Sequence, residues 1–166
     1  MSQKNYSRER QLFKITWLKL FSKHYQHQLQ QLLGSGSRTM ASSGHVEKVR
    51  ILNKDTIHIG YDLQDHIIDQ LITTEKSSTY VIITDSNIVK KGYLDSYLTK
   101  FQSKLNNDQR VLSYVVSPGE ANKTRETKAK IEDYLLSKGC TRDTVILAIG
   151  GGAIGDMIGF GAATFM

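Results

Sequence analysis

The chain is poor in cysteine, in long apolar runs and, over its first quarter, in acidic residues. Cys140 is the single cysteine of 166 residues, which leaves no partner for an internal disulfide and no multi-cysteine metal site, and fits a reducing compartment. No apolar run approaches the ~20 residues of a membrane-spanning helix, and the N-terminus has no uninterrupted apolar block of the secretory kind. A soluble, cytoplasmic protein is expected. Internal repeats are absent. Residues 1–40 carry seven basic side chains against one acidic, Glu9, whereas residues 41–166 carry fifteen of each. The net charge of +6 therefore belongs to the N-terminal segment. The neutral body lacks the basic surface that nucleic acid requires.

The basic segment has helical spacing from Leu12 to Leu33: Phe13, Trp17, Leu20 and Phe21 fall together, opposite Lys19, Lys23, Gln26 and Gln30. A basic amphipathic helix is expected, and three readings stay open for it. It is a leader directed to mitochondria or a membrane surface, a helix that docks on a partner, or an extension upstream of a native start at Met40. The Gly/Ser-rich stretches LGSGSR and ASSG mark a boundary, dividing the chain into residues 1–44 and a folded unit of 45–166.

Beyond the boundary, VEKVRIL and TIHIGY alternate around Asn53-Lys54-Asp55 as a β-hairpin does. Leu63, Ile67, Ile68, Leu71 and Ile72 keep helical spacing, and Thr79 to Thr84 (TYVIIT) is a continuous apolar strand ending at Asp85. A helix with Leu94, Leu98, Phe101 and Leu105 follows, then a strand over Val111 to Val116. Thr124 to Ser137 is helical, with Ala129, Ile131, Leu135 and Leu136 as apolar positions and Gly139 as a stop. Val145 to Ile149 is a last strand feeding a helix over Ile154 to Phe165. Short strands alternating with helices of ten to fifteen residues predict an α/β fold: a Rossmann-like parallel sheet covered on both faces.

Ligands of such sheets bind beyond the carboxyl ends of the strands. GGGAIG at Gly150 to Gly155 has G-x-G-x-x-G spacing on a strand-to-helix turn, where glycine permits positive φ and close approach of a phosphate to the helix N-terminus. The same glycines would also serve a tight turn with close helix packing. Asp85 can accept hydrogen bonds from a ribose, with Asn87 beside it, or cap a helix as an ordinary Asx turn. In PGEANK, Glu120 and Lys123 reach the same edge. Lys123 near a helix start is disfavoured by the dipole, and an anionic partner would offset that. Asp156 is placed in the first turn of the last helix, where the dipole alone accounts for it.

VIITDSN, SPGEANKTRETK, GCTRDTVILAIGGGAIGDMIGF and AATFM, in that order, resemble the N-terminal part of 3-dehydroquinate synthase, most of all the form that opens the fungal pentafunctional AROM polypeptide. The resemblance covers roughly residues 46–166. It implies an NAD-binding domain followed by a mostly helical zinc-carrying domain, in a homodimeric lyase of the shikimate pathway. That enzyme converts 3-deoxy-arabino-heptulosonate 7-phosphate to 3-dehydroquinate and phosphate, oxidising and re-reducing its substrate with bound NAD. Carried over residue by residue, the implied cofactor contacts are Asp85, Ser86 and Asn87; Glu120, Asn122 and Lys123; Gly151, Gly152 and Ala153; and Asp156. Asp85 would hold the adenosine ribose, the glycine turn the pyrophosphate and Asp156 the nicotinamide-side ribose.

Two departures stand out. The family usually has Val at the positions of Ala153 and Gly161, and its arginine after T-F-M, its lysines and its zinc ligands find no match in this chain. His24, His27, His45, His58 and His66 all precede the sheet strands and are not expected to form a metal site. The chain by itself is expected to be inactive. A stand-alone nucleotide- or partner-binding remnant is the alternative, and the codon after that of Met166 separates the two. Sequencing the N-terminus of the cell-made protein tests the basic segment: a chain starting at Ser2 excludes a start at Met40.

Overall fold

The computed structural model describes residues 15–19, 46–51 and 54–165. Strand β1 (Ile15–Lys19) is followed by a hairpin of β2 (Val46–Ile51) and β3 (Lys54–Gly60). Next come helix α1 (Gln64–Thr74), strand β4 (Thr79–Asp85), the short helix α2 (Ser86–Val89) and helix α3 (Tyr93–Lys104). Strand β5 (Arg110–Val116) leads through a 3-10 turn (Glu120–Asn122) to helix α4 (Arg125–Ser137), strand β6 (Val145–Gly150) and helix α5 (Gly152–Thr164). The main sheet has the order β1-β6-β4-β5, all parallel, and the hairpin is a separate antiparallel pair with a register shift at Val49/Arg50.

β4 and β6 are buried along their length, from Thr79 to Thr84 and from Val145 to Gly150, because helices cover both faces. Alternation along the strands divides the core in two. Val81, Ile83, Ile146 and Ala148 meet Ile131 and Leu135 of α4 and Ile154, Met157, Ile158 and Ala162 of α5. Tyr80, Ile82, Val145, Leu147 and Ile149 meet Ile67, Ile68 and Leu71 of α1 and Leu94, Tyr97 and Phe101 of α3. α1 and α3 are further joined by Lys100 and Lys104, which reach Asp65 and Asp69 at 2.6 to 3.3 Å. Those lysines hold the exposed Asp65 carboxyl below its ordinary range, Lys100 most strongly. The contribution of this contact is thus present above the carboxylate range and lost as pH falls through it.

Helix ends follow local chemistry. Thr124 caps α4 by accepting from the Thr127 N–H. Gly139 ends it at φ +63, with Gly139 N–H donating to Leu136 O and Cys140 N–H to Leu135 O, the two bonds of a Schellman motif.

Two expectations are corrected. Within the stretch expected as a helix from Leu12 to Leu33, Ile15–Lys19 forms a strand parallel to β6, and the rest lies outside the described residues. The segment ITWLK is rich in β-branched and aromatic residues, and the edge of β6 presents backbone groups that a strand can pair and a helix cannot. Ala129 and Leu136 are exposed on α4, which buries only Ile131 and Leu135. One face of a helix meets the sheet, and these two lie off it. Exposure of the last helix is confined, among large apolar residues, to Phe160, with Lys128 Nζ 5.7 Å from its ring centroid.

Gly161 is buried in the interior of α5, yet a Cβ built there meets no atom within 4 Å. A glycine in a helix interior costs about 1 kcal/mol relative to alanine, and nothing nearby requires it. Gly161→Ala should raise the melting temperature by roughly 3 to 6 °C in calorimetry, and valine at 153 and 161 together should also raise it. An unchanged or lower value for Gly161→Ala would show that the α4–α5 seam needs the glycine.

Candidate functional site: the carboxyl edge of the sheet

β4 leads through α2 and α3 to β5 on one side, and the chain returns through α4 to β6 on the other. Connections leaving the ends of β4 and β6 therefore diverge to opposite faces, which opens a crevice at this edge of a parallel sheet. Register aligns the three strand ends: Asp85 lies opposite Val116, and Thr84 opposite Ile149. Thr84, fully buried, donates from Oγ1 to Ile149 O at 2.8 Å and ties β4 to β6 one residue before the site. Sequence reasoning passed over this threonine, although a hydroxyl closing the apolar run directly before Asp85 was a usable signal.

At the end of β4, Asp85 Oδ1 accepts from the Asn87 N–H at 2.8 Å and the Ile88 N–H at 3.1 Å, capping α2. The Asx-cap reading of Asp85 is thus realised, and it orients the carboxylate: one oxygen is committed to backbone, leaving Oδ2 as the atom that can meet a ribose. Ser86 is half-buried and Asn87 exposed in the first positions of that helix.

The ends of β5 and β6 meet through Lys123. Its Nζ lies 2.9 Å from Asp156 Oδ2 and 3.2 Å from Glu120 Oε1. The anionic partner expected for Lys123 is supplied by the protein itself. Asp156, then Glu120, raise the Lys123 ammonium above its ordinary range. Stability from this contact is therefore present at neutral pH and is lost as pH rises through the raised value. Asp156 stands one turn inside α5 rather than in its first turn, and its partner is Lys123 rather than the dipole. Asn122 is held apart from this group, its Nδ2 donating to Pro118 O at 2.8 Å, and shapes the loop after Gly119, whose φ is +99.

Gly151 caps α5 with no side-chain hydrogen bond, so the first-turn amides, Ala153 among them, lack a side-chain acceptor. None of Gly150, Gly151 and Gly152 has a positive φ, contrary to expectation. Gly150 is explained by packing: a Cβ there would lie 2.9 Å from Ile154 Cγ1 and 3.0 Å from its Cβ. Gly151 and Gly152 are exposed, and a Cβ on either meets nothing within 4 Å. Neither backbone conformation nor protein packing calls for glycine at these two positions. Their bare backbone leads directly to amides that bear the positive end of the helix dipole, so the residues fit a phosphate-bearing group. Among the described residues, no group of three or more His, Cys, Asp or Glu converges.

Substituting Asp85 separates its two uses. Asp85→Asn keeps an acceptor for the capped amides and should leave stability within about 0.5 kcal/mol, whereas Asp85→Ala should cost about 1 kcal/mol in chemical denaturation. Equal losses would mean that the cap contributes nothing.

Residues 113–166 match the family described as 3-dehydroquinate synthase N-terminal. The chain is 61% identical over 127 residues, 75% of its length, to the pentafunctional AROM polypeptide of Komagataella phaffii, and 57% identical over 130 residues to that of Yarrowia lipolytica. It spans only 8% of the length of either relative. Among solved structures, 2-deoxy-scyllo-inosose synthase aligns with a TM-score of 0.53 at 23% identity, covering 63% of this chain and 28% of that one. The same enzyme complexed with carbaglucose-6-phosphate, NAD+ and Co2+ aligns with a TM-score of 0.50 at 24% identity, over 60% of this chain and 26% of that one; both likenesses concern the fold. Residues 113–166 thus match the 3-dehydroquinate synthase N-terminal family, in a chain homologous over three quarters of its length to a region of the fungal AROM polypeptides.

Proposed function

We propose that this chain is the NAD-binding portion of a 3-dehydroquinate synthase acting on 3-deoxy-arabino-heptulosonate 7-phosphate. The observation that carries it is the pair Gly151 and Gly152, bare of side chains where the protein itself does not need them bare. The pyrophosphate lies over these glycines and Ala153, held by the amides at the start of α5. Asp85 Oδ2 takes the adenosine ribose, with Ser86 and Asn87 beside it. Glu120, Asn122 and Lys123 line the opposite side, and Asp156 meets the nicotinamide-side ribose while the ion pair with Lys123 orients its carboxylate. When bound, NAD supplies a hydride acceptor and returns the hydride later in the same reaction. This chain's residues bind and orient it.

Several finer assignments belong to the same proposal. The cofactor-binding unit is residues 45–166, to whose sheet β1 adds an edge strand, the metal and substrate groups belong to a further domain of the same enzyme, and the assembly is a cytoplasmic homodimer. Among the described residues no helix is long and apolar enough to cross a membrane, which is compatible with that placement.

Titration calorimetry with NAD tests the reading. The 166-residue chain should bind NAD without releasing phosphate from the heptulosonate phosphate. Gly152→Ala should fold with equal or higher stability, since space is open and alanine favours a helix, while NAD affinity falls roughly tenfold or more, about 1.4 kcal/mol. A wild-type dissociation constant above several millimolar, or an unchanged affinity in Gly152→Ala, would remove the cofactor role.

A further inference from the structure

The imidazoles of His58 on β3 and His66 in the first turn of α1 are tilted against each other, with centroids 5.0 Å apart and planes at 43°. His58 Nδ1 is 2.8 Å from His66 Nε2. Two ring nitrogens at that distance hold one hydrogen between them. A neutral pair does so, and a singly charged pair does so more strongly. A doubly protonated pair cannot, because two N–H groups then point at each other and two positive charges meet.

The contact joins the hairpin to the α/β body. Val49 and Ile57 are register partners and Ile59 follows two residues on, so these apolar side chains share one face, and all three are exposed. The opposite face carries His58 and its partner Lys48 and is the one turned to α1. The hairpin is therefore seated through its polar side. The joint between β3 and α1 contains Asp62 at φ +52, the one non-glycine residue with positive φ among those described, a conformation that an L-residue adopts at a cost when its surroundings impose it.

We propose that His58 and His66 form a proton-sensitive clasp that holds the β2–β3 hairpin against α1 and opens when the pair takes up a second proton. Lys48 lies on the same hairpin face as His58. On the α1 side, Asp65 and Asp69 are engaged by Lys100 and Lys104 of α3, and Asp62 lies in the joint itself. Release of the hairpin lets Asp62 leave its positive φ. α1 runs down to β4 through a short connection, so its first turn, and the clasp, sit at the level of the carboxyl edge. The inference does not depend on which ligand that edge binds.

The test uses the full 166-residue chain between pH 8 and 5, the range in which histidine changes charge. Imidazole 15N shifts should show two coupled steps shared by both rings. Hydrogen exchange of residues 57–66, corrected for its intrinsic pH dependence, should lose roughly tenfold protection with the second step. His58→Gln keeps a donor and an acceptor but takes no proton, and its protection should stay level over the range. Flat protection in the wild type, or a His58→Gln variant that loosens with the wild-type profile, would overturn the proposal.

Discussion

Everything at the carboxyl edge depends on β4 being hydrogen-bonded on both sides. With β5 along one flank and β6 along the other, its backbone groups are paired inside a core that offers no water, and unpaired groups there would each be costly. That pairing sets the register, and register decides that the last residues of three separated segments end side by side. Tyr80 and Ile82 pack on one face and Val81 and Ile83 on the other, so the strand is also the plane on which both halves of the core are built. Thr84 adds a side-chain bond to β6 at the point where the two chains part.

The site built on that edge divides its work between backbone and charge. The glycine turn contributes amides without side chains, and the start of α5 contributes a dipole that no side chain among the described residues caps. Lys123 is held between Asp156 and Glu120, which binds the loop after β5 to the helix after β6 and keeps three ionised groups in fixed relation. All three are substantially exposed, so their mutual attraction is screened and adds little to folding. Their arrangement fits orientation of a ligand better than stabilisation of the chain.

Most of the fold was legible because buried parallel strands and amphipathic helices leave strong periodic traces: TYVIIT and VILAIG are apolar throughout, and Ile67, Ile68 and Leu71 repeat at helical spacing. The ends of α4 were legible from Thr124 and Gly139, residues whose chemistry suits a cap and a stop. Ile15–Lys19 was misread because its apolar residues also fit a helical face, and what selects the strand is the edge of β6, some 130 positions away. The short helix after Asp85 was legible only through the cap reading of Asp85, being defined by a cap on backbone amides rather than by any apolar pattern.

The sequence by itself determined the order of strands and helices, the faces they bury and the strand ends where ligand chemistry belongs, since these follow from local periodicity and residue type. Only the tertiary structure decided which glycines are explained by packing. Gly150 is required by Ile154, while Gly151 and Gly152 are not required by the protein at all. It also decided that Lys123 faces Asp156 and that His58 meets His66. Such pairings depend on distances between segments remote along the chain, which residue order leaves open until the sheet closes.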